Sequence, residues 1–174
     1  MKGGQAMGIY SRDEIERILK KYGDTIYRMA FIQVKNPDTA DDIYQNVCIK
    51  LIRQDVYIEP EEHLKAWLLR TTINCCKDYW KSSWIQRISW DEPAQKEESY
   101  EEIKEEGTGY ITECVQRLPE KYRAIIHLYY YEEYNQKEIA DMLRMKENTV
   151  ASRLARGREK LKKMLEKEED EYEF

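Results

Sequence analysis

The chain has 174 residues and 36% charged positions, with 29 Lys and Arg against 34 Asp and Glu for a net charge of -5. That length supports one modest core or two small ones. No apolar run reaches the ~18 residues a spanning helix needs, and the N-terminal MKGGQAMGIYSRDE lacks the apolar core of a signal peptide, so a soluble, cytoplasmic chain without membrane insertion is expected.

Seven glycines and four prolines leave little turn material for a β protein. The abundance of Leu, Ile, Glu, Lys, Arg and Gln favours an all-α fold. Ser11 followed by Glu14 has the spacing of a capping box and predicts a helix to about Val34, which Asn36 and Pro37 interrupt. Asp38 is expected to cap a second helix, whose stripe of Ile43, Val47 and Leu51 fades near Asp55. A third helix is predicted to begin after Pro60 and run to about Trp84, with Leu64, Trp67, Leu68, Thr71, Cys75 and Tyr79 at helical spacing. Three such helices can form a small bundle.

Between Asp91 and Glu106 the composition shifts to eight acidic residues against Lys96 and Lys104, a net charge of -6 with few apolar side chains. This reads as a solvated acidic linker closed by Gly107 and Gly109. A second helical unit is expected from about Ile111, broken at Leu118 and Pro119, with the next helix reaching Tyr131. The tail EKEEDEYEF is acidic again and reads as a disordered end. The expected organisation is an N-terminal domain over 9–90, a linker over 91–110, a C-terminal domain over 111–167 and a tail over 168–174.

Cys48, Cys75, Cys76 and Cys114 have no paired spacing, and His63 and His127 lie far from them in sequence. Neither a metal site nor a disulfide framework is predicted. An enzyme finds little support, because no His, Cys or Ser constellation converges.

Chemistry concentrates in residues 134–165, YNQKEIADMLRMKENTVASRLARGREKLKKML. Asn135 and Glu138 make a second capping-box spacing, and Ile139, Ala140 and Leu143 form the inner face of a short helix. Arg144, Met145 and Lys146 give a three-residue connection, after which a longer helix from Glu147 buries Val150, Leu154 and Leu161. That is helix-turn-helix spacing. The outward residues are Thr149, Ser152, Arg153 and Arg156, then Lys160 and Lys163. Hydroxyl and guanidinium groups near the start of such a helix can reach base edges, whereas later lysines meet phosphates. From Arg144 to Lys163 there are eight basic residues against Glu147 and Glu159, a local charge of +6 in a negative chain. A basic amphipathic helix often has only a solvated face, but that account leaves the preceding helix and turn unexplained.

Residues 118–165, LPEKYRAIIHLYYYEEYNQKEIADMLRMKENTVASRLARGREKLKKML, resemble the promoter-reading C-terminal domain of the extracytoplasmic-function (group 4) sigma factors of bacterial RNA polymerase, in the sigma-70 family. NPDTADDIYQNVCIKLIRQ, residues 36–54, resembles the family's polymerase-binding helix, and HLKAWLLRTTINCCKDYWK, residues 63–81, resembles the helix that melts and reads the minus 10 element. Together these cover about residues 9–165 in the family's order.

The resemblance implies a non-enzymatic specificity subunit that needs no cofactor, because the energy for melting comes from binding, with three kinds of partner: the largest and second-largest subunits of core polymerase, promoter DNA, and a cognate anti-sigma factor. It places polymerase binding on Asp41, Asp42, Ile43, Gln45 and Asn46. Contacts with the minus 10 element fall on Arg70, Asn74, Lys77, Tyr79, Trp80 and Lys81, with the loop RQDVYIEPEEH near the pocket for an unstacked base; Trp67 lies on the apolar stripe and reads as core. Contacts with the minus 35 element fall on Lys146, Thr149, Ser152, Arg153, Arg156, Lys160 and Lys163. Three departures from the family pattern are visible: Arg144 where glycine is common, Lys146 in place of a Ser-type cap whose work Asn148 could share, and Asn46 where an acidic residue often follows the glutamine. The competing reading is a stand-alone helix-turn-helix regulator that does not bind core polymerase, which leaves Asp41, Asp42 and Gln45 without a role.

Overall fold

The computed structural model describes residues 8–89 and 109–172, with side chains of residues 84–89 and 168–172 left aside. The expected acidic linker therefore lies almost entirely outside the described residues, as do the first seven residues and the side chains of the acidic tail. The described chain is all α: α1 Arg12–Val34, α2 Pro37–Ile52, α3 Glu61–Ser89, α4 Gly109–Arg117, α5 Glu120–Tyr130, α6 Gln136–Leu143 and α7 Glu147–Tyr172. It divides into two compact units, Met1–Lys96 and Glu97–Phe174.

In the first unit, α1, α2 and α3 pack pairwise as a three-helix bundle. α1 begins where its capping box predicts, with Ser11 N–H donating to Glu14 Oε2 at 2.8 Å and Glu14 N–H donating to Ser11 Oγ at 3.3 Å. α2 is capped two residues earlier than expected. Asn36 Oδ1, not Asp38, accepts from Thr39 N–H at 3.0 Å, and Pro37 takes the first helical position, where its missing N–H costs nothing. Asp38 instead occupies the first turn, where a carboxylate suits the helix dipole. α2 stops at Ile52, short of Asp55, and α3 continues to Ser89, past the expected Trp84. No proline or glycine interrupts the sequence between Glu61 and Ser89.

Ile26, Met29, Ile43, Leu51, Leu68 and Leu69 are almost fully buried at the centre of this bundle. Burying each such side chain stabilises the fold by roughly 1.5–3 kcal/mol. Trp67 packs partly buried against the core, as its place on the apolar stripe predicts. Glu61, at the start of α3, receives hydrogen bonds from Lys21 Nζ at 2.7 Å and Tyr22 Oη at 3.1 Å, which ties α1 to α3.

The second unit gathers α4, α5 and α6 around α7. Leu118, Ile125, Ile126, Leu128, Ile139 and Leu154 fill its centre. Gly157 sits mid-helix in α7 because α5 passes close by: a Cβ there would lie 3.1 Å from Ile126 Cγ1 and 3.3 Å from Tyr122 Cβ. Arg123 and His127 are buried polar residues of α5. Arg123 donates to the Gln116 carbonyl at 3.2 Å, and His127 Nε2 lies 3.4 Å from Glu132 Oε1 while its ring stacks on Tyr131.

Candidate nucleic-acid interface

The helix-turn-helix forms where the sequence predicts it. Asn135 N–H donates to Glu138 Oε2 at 2.8 Å and Glu138 N–H donates to Asn135 Oδ1 at 2.9 Å, so the first turn of α6 is closed from both sides. Its other end closes on Arg144, whose φ of 53° and ψ of 50° are left-handed. Met145 N–H donates to the Ala140 carbonyl at 2.9 Å and Arg144 N–H to the Asp141 carbonyl at 3.4 Å, the paired pattern of a Schellman turn. Arg144 thus adopts the conformation glycine would supply, at a steric cost of about 1 kcal/mol or more. α7 starts immediately after Lys146, whose carbonyl accepts from Thr149 and Val150. Asn148 lies inside the first turn of α7, so the cap position itself remains with Lys146.

On α7, Val150, Leu154 and Gly157 are buried and Leu161 is half-buried. Thr149, Ser152, Arg153, Arg156, Lys160 and Lys163 recur at intervals of three and four, which puts them on one stripe. Ser152, Arg156, Lys160 and Lys163 are exposed, and Thr149 and Arg153 are half-buried. The basic charge is not all on this stripe. Arg158 lies about half a turn away, its guanidinium carbon 6.0 Å from the Tyr129 ring centre and 5.8 Å from that of Tyr130. Lys163 Nζ is 2.9 Å from Glu159 Oε1, and this neighbour holds the Glu159 carboxyl below its ordinary value. Sequence reasoning missed the role of Arg158; the run Tyr129–Tyr131 was the available signal.

The first unit presents a different surface. Asp41, Asp42, Gln45 and Asn46 are exposed on α2. Ile43 is not among them: it is 2% exposed and belongs to the core with Ala40, Val47 and Leu51, because a residue two positions from Asp41 points across the helix.

On α3, Arg70, Asn74, Lys77 and Lys81 recur at intervals of four, three and four and share one stripe, with Arg70 half-buried and the others exposed. The structure separates Tyr79 and Trp80 from them. Tyr79 is two positions from both lysines, hence about 160° away around the helix. It lines the groove between α2 and α3 together with Asp42, Asn46, Ile49, Arg53 and Trp67. Trp80 packs half-buried against the core. The groove itself was not foreseen, because it depends on how α2 and α3 pair. Among the described residues no group of three or more His, Cys, Asp or Glu could hold a metal ion, and no helix is long and apolar enough to cross a membrane.

Comparison with known proteins agrees with both units. The family model for Sigma-70 region 2 matches residues 18–85, and that for Sigma-70 region 4 matches residues 108–161. The RNA polymerase sigma factor SigZ of Bacillus subtilis is 30% identical over 135 residues, covering 77% of each chain. The ECF RNA polymerase sigma factor SigM of Bacillus subtilis is 29% identical over 158 residues, covering 85% of this chain and 93% of that one. In fold, the chain resembles the sigma factor RpoE, solved with the anti-sigma factor NepR from Bartonella quintana, with a TM-score of 0.77, 17% identity and coverage of 88% and 98%. It also resembles CnrH, solved with the cytosolic domain of CnrY, with a TM-score of 0.64, 17% identity and 90% coverage of each. A bundle matching region 2, a helix-turn-helix unit matching region 4, and a curated relative at 30% identity together place this chain in the sigma-70 family of RNA polymerase sigma factors, in its extracytoplasmic-function group.

Proposed function

We propose that this sigma factor joins core polymerase, formed by its largest and second-largest subunits, and docks on the largest subunit through the exposed face of α2, with Asp41, Asp42, Gln45 and Asn46 in contact and Ile43 seating the helix from below. The stripe Arg70, Asn74, Lys77 and Lys81 meets the minus 10 element, where amide and cationic groups can hold an opened strand. Thr149, Ser152, Arg153 and Arg156 read the minus 35 element, while Lys146, Lys160 and Lys163 meet phosphates. Binding energy opens the duplex, so the chain acts in the cytoplasm as a specificity subunit with no catalytic role and no cofactor. Tyr79 and Trp80 leave the DNA-contacting set on this reading.

The observation that carries the proposal is one stripe of six polar and basic residues on α7, set by a capped helix and a tight turn, in the same chain as an exposed acidic face on α2. A stand-alone regulator would use the first and leave the second idle. A cognate anti-sigma factor is the further partner, supported by the similarity in fold to RpoE solved with the anti-sigma factor NepR.

The test combines purified chain with core polymerase on promoter templates. Stable core binding and a transcript from one defined start are expected. DNA binding without core binding would replace this reading with the stand-alone regulator. Charge reversal at Asp41 and Asp42 should weaken core affinity without altering helical content; a matching loss of helicity would make those residues structural.

A further inference from the structure

The loop between α2 and α3, residues 53–60, borrows its support from a segment some 45 residues earlier in the chain. Ile9 N–H donates to the Gln54 carbonyl at 2.8 Å, and the Tyr10 hydroxyl accepts from Ile58 N–H at 2.9 Å. Tyr10 is 6% exposed, and its ring centre lies 4.9 Å from that of Tyr57. Tyr57 in turn donates from its hydroxyl to Glu14 Oε1 at 3.1 Å, while the other oxygen of Glu14 closes the capping box with Ser11. Gly8 runs so close to the end of α2 that a Cβ there would lie 1.8 Å from the Ile52 carbonyl oxygen, a position open only to glycine.

These contacts bracket the exposed part of the loop. Gln54 and Ile58 are anchored by Ile9 and Tyr10, and between them Asp55, Val56 and Tyr57 are exposed, Val56 to 60%. A loop that only had to connect two helices could satisfy its backbone within itself or with water. Here two backbone groups are tied to another segment and the residues between the ties are held outward. Such an arrangement fixes an exposed tip, with Val56 at its centre, in space at little entropic cost on binding.

We propose that residues Gly8–Ser11 are a clasp that positions the tip Asp55–Tyr57 for promoter opening, with Tyr10 as the positioning residue. This rests on the reading that the first unit meets the opened minus 10 strand. Tyr10 touches no DNA; it acts through Ile58 and Tyr57. Loss of the clasp lets the tip sample many positions, so the cost falls on the step in which an unstacked base must be captured.

The experiment reconstitutes polymerase with the full chain and compares Tyr10→Phe with the parent on two templates, a duplex promoter and the same promoter with a mismatched, pre-opened minus 10 segment. Tyr10→Phe keeps the ring contact and strands the Ile58 N–H. Transcription from the duplex should fall roughly ten-fold, the size expected for one orphaned backbone donor. It should change less than about two-fold on the pre-opened template, with core affinity unchanged, because there the bases are already unpaired and capture no longer has to offset the cost of opening the duplex. Equal activity on the duplex, or an equal loss on both templates, overturns the clasp. Should Tyr10→Phe unfold at the assay temperature, Tyr57→Phe severs the tie to Glu14 at an exposed site, and the same split between templates is required of it. A parent chain that yields no promoter-specific transcript overturns the sigma-factor roles themselves and the clasp's role with them; an active parent matched by its variants overturns the clasp alone.

Discussion

Arg144 and Ala140 define the turn that leads into α7: the chain reverses at Arg144 in a left-handed conformation, and the next residue, Met145, donates back to the Ala140 carbonyl at 2.9 Å. The backbone geometry is that of a glycine turn built with an arginine. Arg144→Gly should therefore raise stability by up to about 1 kcal/mol, the left-handed penalty less the entropy glycine adds to the unfolded chain. Arg144→Val should lower it by at least as much. Thermal unfolding of both variants decides the matter, and a destabilised glycine variant would mean that the arginine side chain contributes more than its backbone costs.

Asn135→Ala removes the acceptor for Glu138 N–H and exposes an end of α6. A loss of ~1 kcal/mol is expected, visible in chemical denaturation as a lower midpoint with an unchanged slope. Asn135→Ser should retain most of the stability, since a hydroxyl can take over the same bond.

Gly157 predicts a size threshold. Ala at this position gains up to ~1 kcal/mol of helix propensity but brings a methyl 3.1 Å from Ile126 Cγ1, so the two effects should nearly offset. Leu should cost ~1–3 kcal/mol through overpacking and weaken minus 35 binding as the helix shifts. Circular dichroism melts beside promoter-binding assays would show whether the two losses travel together.

Acid should loosen the first unit before it affects the hydrophobic core. Hydrogen bonds from Ser11 hold Glu14 below its ordinary value of 4.5, and the bond from Lys21 does the same for Glu61. A carboxyl whose folded pKa is depressed adds stability that is fully present above the unfolded value and is lost as pH falls through the folded one. Unfolding midpoints should hit a decline below about pH 4.5, and the double change Glu14→Gln with Glu61→Gln should flatten it.

Arg153→Ala and Arg156→Ala should each cost ~1–3 kcal/mol on the cognate promoter if they read bases. Lys160→Ala should weaken cognate and scrambled DNA alike. Arg158→Ala should leave promoter affinity near the parent value, because its guanidinium lies over Tyr129 and Tyr130 away from the stripe. Gel-shift titrations with all four variants on both DNAs make the comparison, and a large effect at Arg158 would redraw the interface.

Local chemistry was legible in the sequence and pairing between helices was not. Ser11 with Glu14 and Asn135 with Glu138 announce helix starts because each pair acts within one turn. The connection Arg144–Lys146 follows from the same local logic, whereas the cap of α2 was misplaced by two residues because Asn36 and Asp38 carry equivalent side-chain oxygens. Helical spacing correctly unites Arg70, Asn74, Lys77 and Lys81. It could also have excluded Tyr79, but the family likeness of the 63–81 stretch carried Tyr79 and Trp80 along with the polar residues. The groove that receives Tyr79 and the ties from Tyr10 to Ile58 join residues far apart in sequence, so no periodicity reports them.

The separation into two compact units also has a meaning for synthesis. Every helix of the bundle, α1 to α3, has been made by Ser89, and its core is filled by residues up to Cys76. A helical bundle of this size folds in microseconds to milliseconds. A ribosome adding roughly 5–20 residues per second needs several more seconds to finish α7. The acidic face of α2 is thus formed on the nascent chain well before a DNA-reading helix exists, and the bundle never has to wait for the second unit to find its own shape.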